Sequence, residues 1–521
     1  MTSRERRSAP AARRGRDRRA AVVPAHRGRA AAGRDAPRCA VVGGGIAGLA
    51  AATVLAERGV RVTLYEREAS LGGRLAGWPV ELADGSSVTM SRGFHAFFRQ
   101  YYNLRGLLRR TDPGLERLRP LPDYPLRHSS GLYDGFARVP RTPPWSAVGF
   151  AALSPSFGLR DLVRMNPRAA LPLLDVGLPG VHRRYDGISA RELLDRIRFP
   201  ERARHLAFEV FSRSFFADPG DLSAAELALM FHIYFLGSSE GLLFDVPDEP
   251  YPQALWDPLA RYLEGHGADI RTGSPVSHVE AAPGGGHLVH GPAGAERADA
   301  LVLALDTGGL RAVAAASPAL CDEAWRSRVA GLRTAPPFLV TRLWLDRPVA
   351  PDRPGFLGTG GYGPLDNISV LGAWEGEAAR WAAKTGGSVV ELHAYAADPV
   401  AGPGPVAREV VEQLRRVYPE TAAARIVDRR DEWRQDCPLF AVGGHAGRPG
   451  VGTPDPTVTV AGDLVRTDLP VALMERAATT GFLAANAHLR RWGLRGQTLW
   501  TVPRRGRSAL LRGLARAYGE Y

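Results

Sequence analysis

The 521-residue chain predicts an α/β fold, and three observations carry that prediction. The apolar run Cys39–Val42 feeds a glycine-rich turn, which feeds apolar residues at helical spacing from Ile46 to Arg58. The same strand–helix style returns at 253–305 and again at 457–489. Between those visits lie two stretches of different character, 101–252 and 310–434. Together they predict a Rossmann-type domain assembled from segments 38–100, 253–309 and 435–490, with a discontinuous α+β domain inserted twice.

The ends come first. Residues 1–38 hold twelve Arg against Glu5, Asp17 and Asp35, a net of +9 out of +13 for the whole chain. The basic charge is therefore local and does not argue for nucleic acid as a partner. Residues 1–37 are Arg/Ala/Gly-rich with almost no large apolar side chains, so they read as a disordered basic tail. They contain no apolar run of signal-peptide type. Residues 491–521 read as a basic C-terminal tail, and Arg504–Tyr518 within it has apolar and basic residues at helical spacing. Cys39, Cys321 and Cys437 form no close pair, which argues against a disulfide framework or a cysteine metal site and for a reducing, cytoplasmic setting. Thr142–Leu159 is uncharged but broken by three prolines, so it suits a membrane interface better than a membrane span.

Along the body, Cys39–Val42 and Val60–Tyr65 read as strands around a helix that stops at Gly59. The region 100–250, rich in Leu, Arg and Phe, reads as mainly helical. A helix follows at Leu255–Leu263, with short strands at about 269–272, 275–280 and 287–290, and a buried strand at Ala300–Leu305. Phe338–Leu345 reads as a strand, 405–418 as a helix, Thr457–Val460 as a strand and Pro470–Leu489 as a helix. His287 and His290 fall in one short strand and must face opposite sides, so no metal site is expected there or elsewhere.

Gly43–Gly48 fits G-x-G-x-x-G between a strand and a helix. Gly43 makes the tight turn, Gly45 admits a pyrophosphate against the backbone, and Gly48 lets helix and strand pack closely. The pyrophosphate then meets the free N–H groups of a helix N-terminus. Glu66 closes the second strand, where its carboxylate can accept hydrogen bonds from ribose hydroxyls. Gly72-Gly73-Arg74 follows closely, and the last strand runs into Ala461-Gly462-Asp463.

With these motifs the chain resembles the flavin amine-oxidase and carotenoid-desaturase superfamily across nearly everything beyond the tail. The resemblance implies the flavin amine oxidase/phytoene desaturase fold and FAD as cofactor. It implies Gly73, Arg74, Gly462, Asp463 and Met474 as FAD contacts, and Val276 as a strand residue meeting the adenine through its backbone. Ser91–Leu108 (SRGFHAFFRQYYNLRGLL) is similar to plant-type phytoene and ζ-carotene desaturases at Gly93, His95, Phe97, Phe98, Tyr102, Asn103 and Leu104. Arg99 departs from the glycine usual there, and with Phe208–Tyr251 the chain looks more like isorenieratene synthases, the β-carotene desaturase/methyltransferases. That resemblance implies loss of four hydrogens from each β-ionone ring, with a methyl shift to an aromatic ring.

Such a reaction needs an apolar tunnel, a wall that tolerates positive charge, and a proton acceptor. Phe97, Phe98, Phe211, Phe215 and Tyr234 are the candidate substrate-lining aromatics, since aromatic faces tolerate cations. His95 is the candidate base by residue type, with a structural core histidine as the alternative. The implied partners are a carotenoid, a membrane lipid surface touched peripherally at the inner face of the cell membrane, and an electron acceptor, with oxygen, a quinone or another carrier open. A linear carotene desaturase, a carotenoid isomerase and an amine oxidase share the fold. A non-catalytic prenyl carrier fits poorly with Glu66, Arg74 and Asp463 all present.

Overall fold

The computed structural model describes residues 17–207 and 215–519. Two of the aromatics singled out above, Phe208 and Phe211, lie outside these residues.

Five strands form a parallel sheet in the spatial order Asp269–Arg271, Arg61–Tyr65, Arg38–Val42, Ala300–Leu303 and Val458–Val460. The three chain visits therefore build one sheet. Ala300–Leu303 is apolar throughout because it lies at the sheet interior with both faces covered. Gly43 turns the chain with φ +110°, and a Cβ there would lie 2.3 Å from the Ala304 carbonyl oxygen. The helix that follows, Ile46–Ala56, is buried along its whole length. Helix Leu473–Arg491 crosses it so closely that a Cβ on Gly481 would lie 2.2 Å from the Ala47 oxygen. This crossing fixes the N-terminal turn of the second helix beside the glycine loop.

The second sheet has seven strands, ordered Ile426–Arg434, Phe338–Leu345, Ser388–Ala394, Asn367–Val370, Phe356–Gly360, Leu126–His128 and Tyr133–Asp134. Both inserted stretches contribute to it. Region 100–250 is mainly helical, as its composition predicts, with a few short strands set between the helices. Helices such as Ala190–Ile197 and Ala224–Phe231 are present. Strands also occur, and Phe244–Pro247 pairs with Phe97–Phe98 and Leu118–Pro120. Apolar runs this short, cut by prolines, do not distinguish strand from helix by period.

The tail expectation needs correction. Residues 17–37 are not a loose extension: Ala21–Val23 pairs antiparallel with Leu499–Thr501. Buried Asp17 makes an ion pair with Arg507 at 2.6 Å. Its partner comes from the far end of the chain, so the composition of the segment alone misjudged it. Among the described residues no helix is long and apolar enough to cross a membrane.

Candidate active site

A cavity of about 430 Å³ opens at the carboxyl ends of the parallel strands, where Val42, Tyr65 and Glu66 reach its wall. Part of that wall is backbone. Gly43, Gly45, Gly72, Gly73 and Gly462 line it without side chains. Gly45 caps helix Ile46–Ala56 with no side-chain hydrogen bond, leaving the first-turn N–H groups available to an anion. Gly48 does not reach the wall; a Cβ there would lie 1.8 Å from the Gly43 oxygen, so its role is the close packing that shapes the loop.

Glu66 accepts from Gly44 N at 2.7 Å and from Glu68 N at 2.9 Å. Arg74 and Asp463 pair across the cavity wall at 2.6 Å. Burial pulls the Arg74 guanidinium down, yet the Asp463 carboxylate outweighs it and holds the cation above its ordinary range. Val276 and Met474 also line the cavity. Val276 lies in the irregular link between strands Asp269–Arg271 and His278–Ala281, not within a strand as expected. A dinucleotide with a flavin fits this set: a glycine cradle, an open helix N-terminus, a carboxylate for hydroxyls and a guanidinium for phosphate.

The rest of the wall is aromatic. Phe98, Phe215 and Tyr234 face the cavity, joined by residues the sequence reading missed, among them Tyr101, Phe216, Phe440 and Tyr395. Phe97 does not; it is fully buried in the core beneath, because adjacent residues of a strand point to opposite faces. Tyr101 and Tyr234 share a hydrogen bond of 3.0 Å, and Phe98 packs edge-on to Tyr234 at 4.7 Å. Behind Phe440 stand the guanidiniums of Arg448 and Arg476, 4.6 and 5.1 Å from the ring centre. Phe216 and Leu473, both on the wall, hold φ of +54° and +51°, backbone values that L residues adopt at a cost.

His95 reaches the cavity, and its Nδ1 lies 2.9 Å from the Gly93 carbonyl oxygen. Burial pushes the imidazole down to about 4, against the pull of that carbonyl, so it is neutral and weakly basic. Much of the surrounding motif is structural. Asn103 donates to Thr479 Oγ1 and the Trp500 carbonyl, and Arg99 pairs with Asp245 at 3.0 Å.

A second histidine sits on the wall unannounced. Glu391, His393 and Tyr395 follow one another at every second residue along and just past strand Ser388–Ala394. The alternation E-L-H-A-Y was the available signal, since such spacing puts three polar side chains on one face.

His287 and His290 do face opposite sides, toward Thr457 and Glu280 respectively. Two groups bring ligand atoms close together, His278–Glu280–His290 at the surface and His182–Glu226–His445 inside. In the buried one, Arg448 and Arg476 already hold the two Glu226 oxygens at 2.6 and 2.7 Å, two cations that oppose a metal ion. Cys39, Cys321 and Cys437 are free thiols.

Comparison with known proteins agrees with this geometry. Residues 46–489 match the family of flavin containing amine oxidoreductases. A carotenoid phi-ring synthase of Streptomyces griseus is 73% identical over 503 residues, 96% of this chain and 97% of its own. One from Chlorobaculum tepidum is 28% identical, covering 90% of this chain and 91% of its own. Among solved structures, putrescine oxidase bound to putrescine superimposes with a TM-score of 0.64 at 16% identity, over 87% of this chain and 99% of its own. The chain is an FAD-dependent oxidoreductase and belongs to the flavin containing amine oxidoreductase family.

Proposed function

We propose that this protein desaturates the β-ionone rings of a carotene, most specifically β-carotene, with a methyl shift that leaves the rings aromatic as in isorenieratene. The observation that supports it best is the 73% identity to a carotenoid phi-ring synthase over almost the whole of both chains. The aromatic wall supports it physically, because a ring that has lost hydride is a cation and aromatic faces stabilise cations.

When bound, FAD supplies the hydride acceptor. The chain's own residues do the rest. Glu66 and Arg74 anchor the dinucleotide. Phe98, Phe215, Tyr234 and Phe440 exclude water from a carbocation that water would quench. His95, neutral at the cavity wall, is a candidate acceptor for a proton leaving the ring.

Carotenes dissolve in lipid, so delivery calls for contact with a membrane, here the inner face of the cell membrane. Seven of the eleven exposed large apolar side chains among the described residues lie on three short helices. These are Trp145, Val148 and Leu153; Val163; and Leu510, Leu514 and Tyr518. An electron acceptor must reoxidise the flavin, with oxygen, a quinone or another carrier as the alternatives.

The test is a pigment extract from cells that make β-carotene and express this chain. Carotenoids are separated by chromatography with mass detection. A product lighter by eight hydrogens with an aromatic-ring spectrum supports the reading. Unchanged β-carotene removes it, and linear precursors then test the desaturase and isomerase alternatives.

A further inference from the structure

Ring aromatisation releases protons as well as hydrides. Four hydrogens lost from one ring are two hydrides and two protons, so one weak imidazole at His95 leaves proton removal under-provided. We infer that Tyr395, His393 and Glu391 form a proton relay that accepts a proton from the substrate ring, an inference that rests on the ring-desaturation reading above.

The geometry is continuous. Tyr395 Oη lies 2.6 Å from His393 Nδ1, and His393 Nε2 lies 2.9 Å from Glu391 Oε1. Arg342 binds the other Glu391 oxygen through Nε and Nη2 at 3.0 and 2.7 Å. Phe94 N donates to Oε1 at 2.9 Å. With Nε2–H donated to the carboxylate, Nδ1 is left as an acceptor, so the phenol hydroxyl donates to it. Asn367 Nδ2 donates to the same phenol oxygen at 3.0 Å, which leaves that oxygen one further lone pair. Both Tyr395 and His393 line the cavity, while Glu391 and Arg342 are buried behind them.

The surroundings hold the phenol in place. Phe216 packs edge-on to Tyr395 at 4.9 Å, and Ala396, next in the chain, takes φ +47°. Together with Phe216 and Leu473, this puts three of the six non-glycine residues with positive φ among the described residues at or beside this cavity. Strained backbone at a cleft is the pattern of a positioned functional group. Burial works to raise the Glu391 carboxyl, but Arg342 and His393 override it and hold it down at about 2, so a full negative charge faces the imidazole.

The step balances. Hydride loss leaves a ring carbon cationic. A C–H bond on the neighbouring carbon breaks, and its electron pair becomes the new C=C bond that cancels the charge. The proton passes to Tyr395 Oη as the phenol's own proton passes to His393 Nδ1. The imidazolium so formed is paired with Glu391. A Tyr–His–carboxylate chain does this without ever holding a free phenolate, which burial disfavours strongly here.

The experiment uses the FAD-loaded full chain, with β-carotene supplied in phosphatidylglycerol/phosphatidylcholine vesicles, and follows bleaching of the oxidised flavin without oxygen. Tyr395→Phe and His393→Gln are each compared with wild type for flavin content, half-saturating β-carotene and maximal rate in H2O and D2O. The expected result is full flavin content and half-saturation within about threefold, with the maximal rate down roughly 10²-fold or more. The double variant should be no slower than the slower single one, since members of one relay do not add. The wild-type solvent isotope effect should shrink in Tyr395→Phe. Wild-type bleaching with both variants within a few-fold of it overturns the relay alone. Additive losses, or losses seen only in half-saturation, also overturn it in favour of a structural role. A wild-type flavin that stays oxidised with β-carotene overturns the ring-desaturation reading and the relay with it.

Discussion

Glu66 stands at the end of strand Arg61–Tyr65, where its two carboxylate oxygens accept the backbone N–H groups of Gly44 and Glu68. Its loss removes charge-assisted hydrogen bonds worth roughly 1.5–3 kcal/mol each. Glu66→Ala should therefore raise the Kd for FAD about tenfold or more, read by fluorescence titration, while flavin that does bind stays reducible. A variant that purifies fully yellow and fails only in turnover would remove this assignment. Glu391 gives a second residue-level expectation. Its carboxyl is held at about 2 in the fold against 4.5 unfolded. Because the folded value is the lower one, its contribution of roughly 3 kcal/mol is present above pH 4.5 and is lost as pH falls toward 2. Urea midpoints measured down that window should fall more steeply for wild type than for Glu391→Gln, which starts lower. Glu66 was legible because a strand end after a glycine turn is a local pattern. Glu391 was not, because what lowers it is Arg342 from the neighbouring strand.

At the scale of elements, helix Leu473–Arg491 ties the two regions together. Its N-terminal residues Leu473, Met474 and Ala477 line the cavity, and Gly481 sets its distance from Ile46–Ala56. Glu475 on the same turn accepts from Asn103 N and Leu104 N at 2.8 and 2.9 Å, so it caps helix Tyr102–Leu108 from far along the chain. Burial pushes the Glu475 carboxyl up to about 8 against the pull of these N–H groups, yet in either form both oxygens can accept, whereas an amide offers one oxygen and turns an N–H toward the other donor. Glu475→Gln should cost about 1–3 kcal/mol, seen as a lower Tm, with FAD restoring only part of it. The sequence reading found both helices. It took Phe97 and Phe98 of the stretch Ser91–Leu108 as substrate-lining, although Phe97 faces the core, and Asn103 of the same stretch is tied to Thr479. A motif that marks a family marks whatever the fold needs, and here much of it is packing.

For the molecule as a whole, the segment 17–37 joins the C-terminal strand Leu499–Thr501, and the basic helix Ala509–Tyr518 that follows displays Leu510 and Tyr518 at 74% and 65% exposure. Arg512 and Arg516 lie on the same helix, each beside Asp175. Apolar side chains flanked by Arg suit an anionic interface. Leu510→Glu with Leu514→Glu should reduce co-sedimentation with phosphatidylglycerol vesicles several-fold and slow turnover of vesicle-borne carotene, while FAD content is unchanged. Equal sedimentation of variant and wild type would remove this helix from the membrane contact.

By itself the sequence determined the nucleotide half of this protein. The glycine turn, Glu66, Gly72-Gly73-Arg74 and Ala461-Gly462-Asp463 are short-range patterns, each dictated by a backbone angle or a close approach that few residues allow. The three visits to the parallel sheet were legible because a doubly covered strand must be apolar throughout. The tertiary structure alone decided the substrate half. Which of Phe97 and Phe98 meets the cavity depends on the pairing of their strand, and the guanidinium that holds Glu391 behind His393 comes from Arg342 on the neighbouring strand. Those facts are set by contacts between residues distant in sequence, about which local period and composition carry no information.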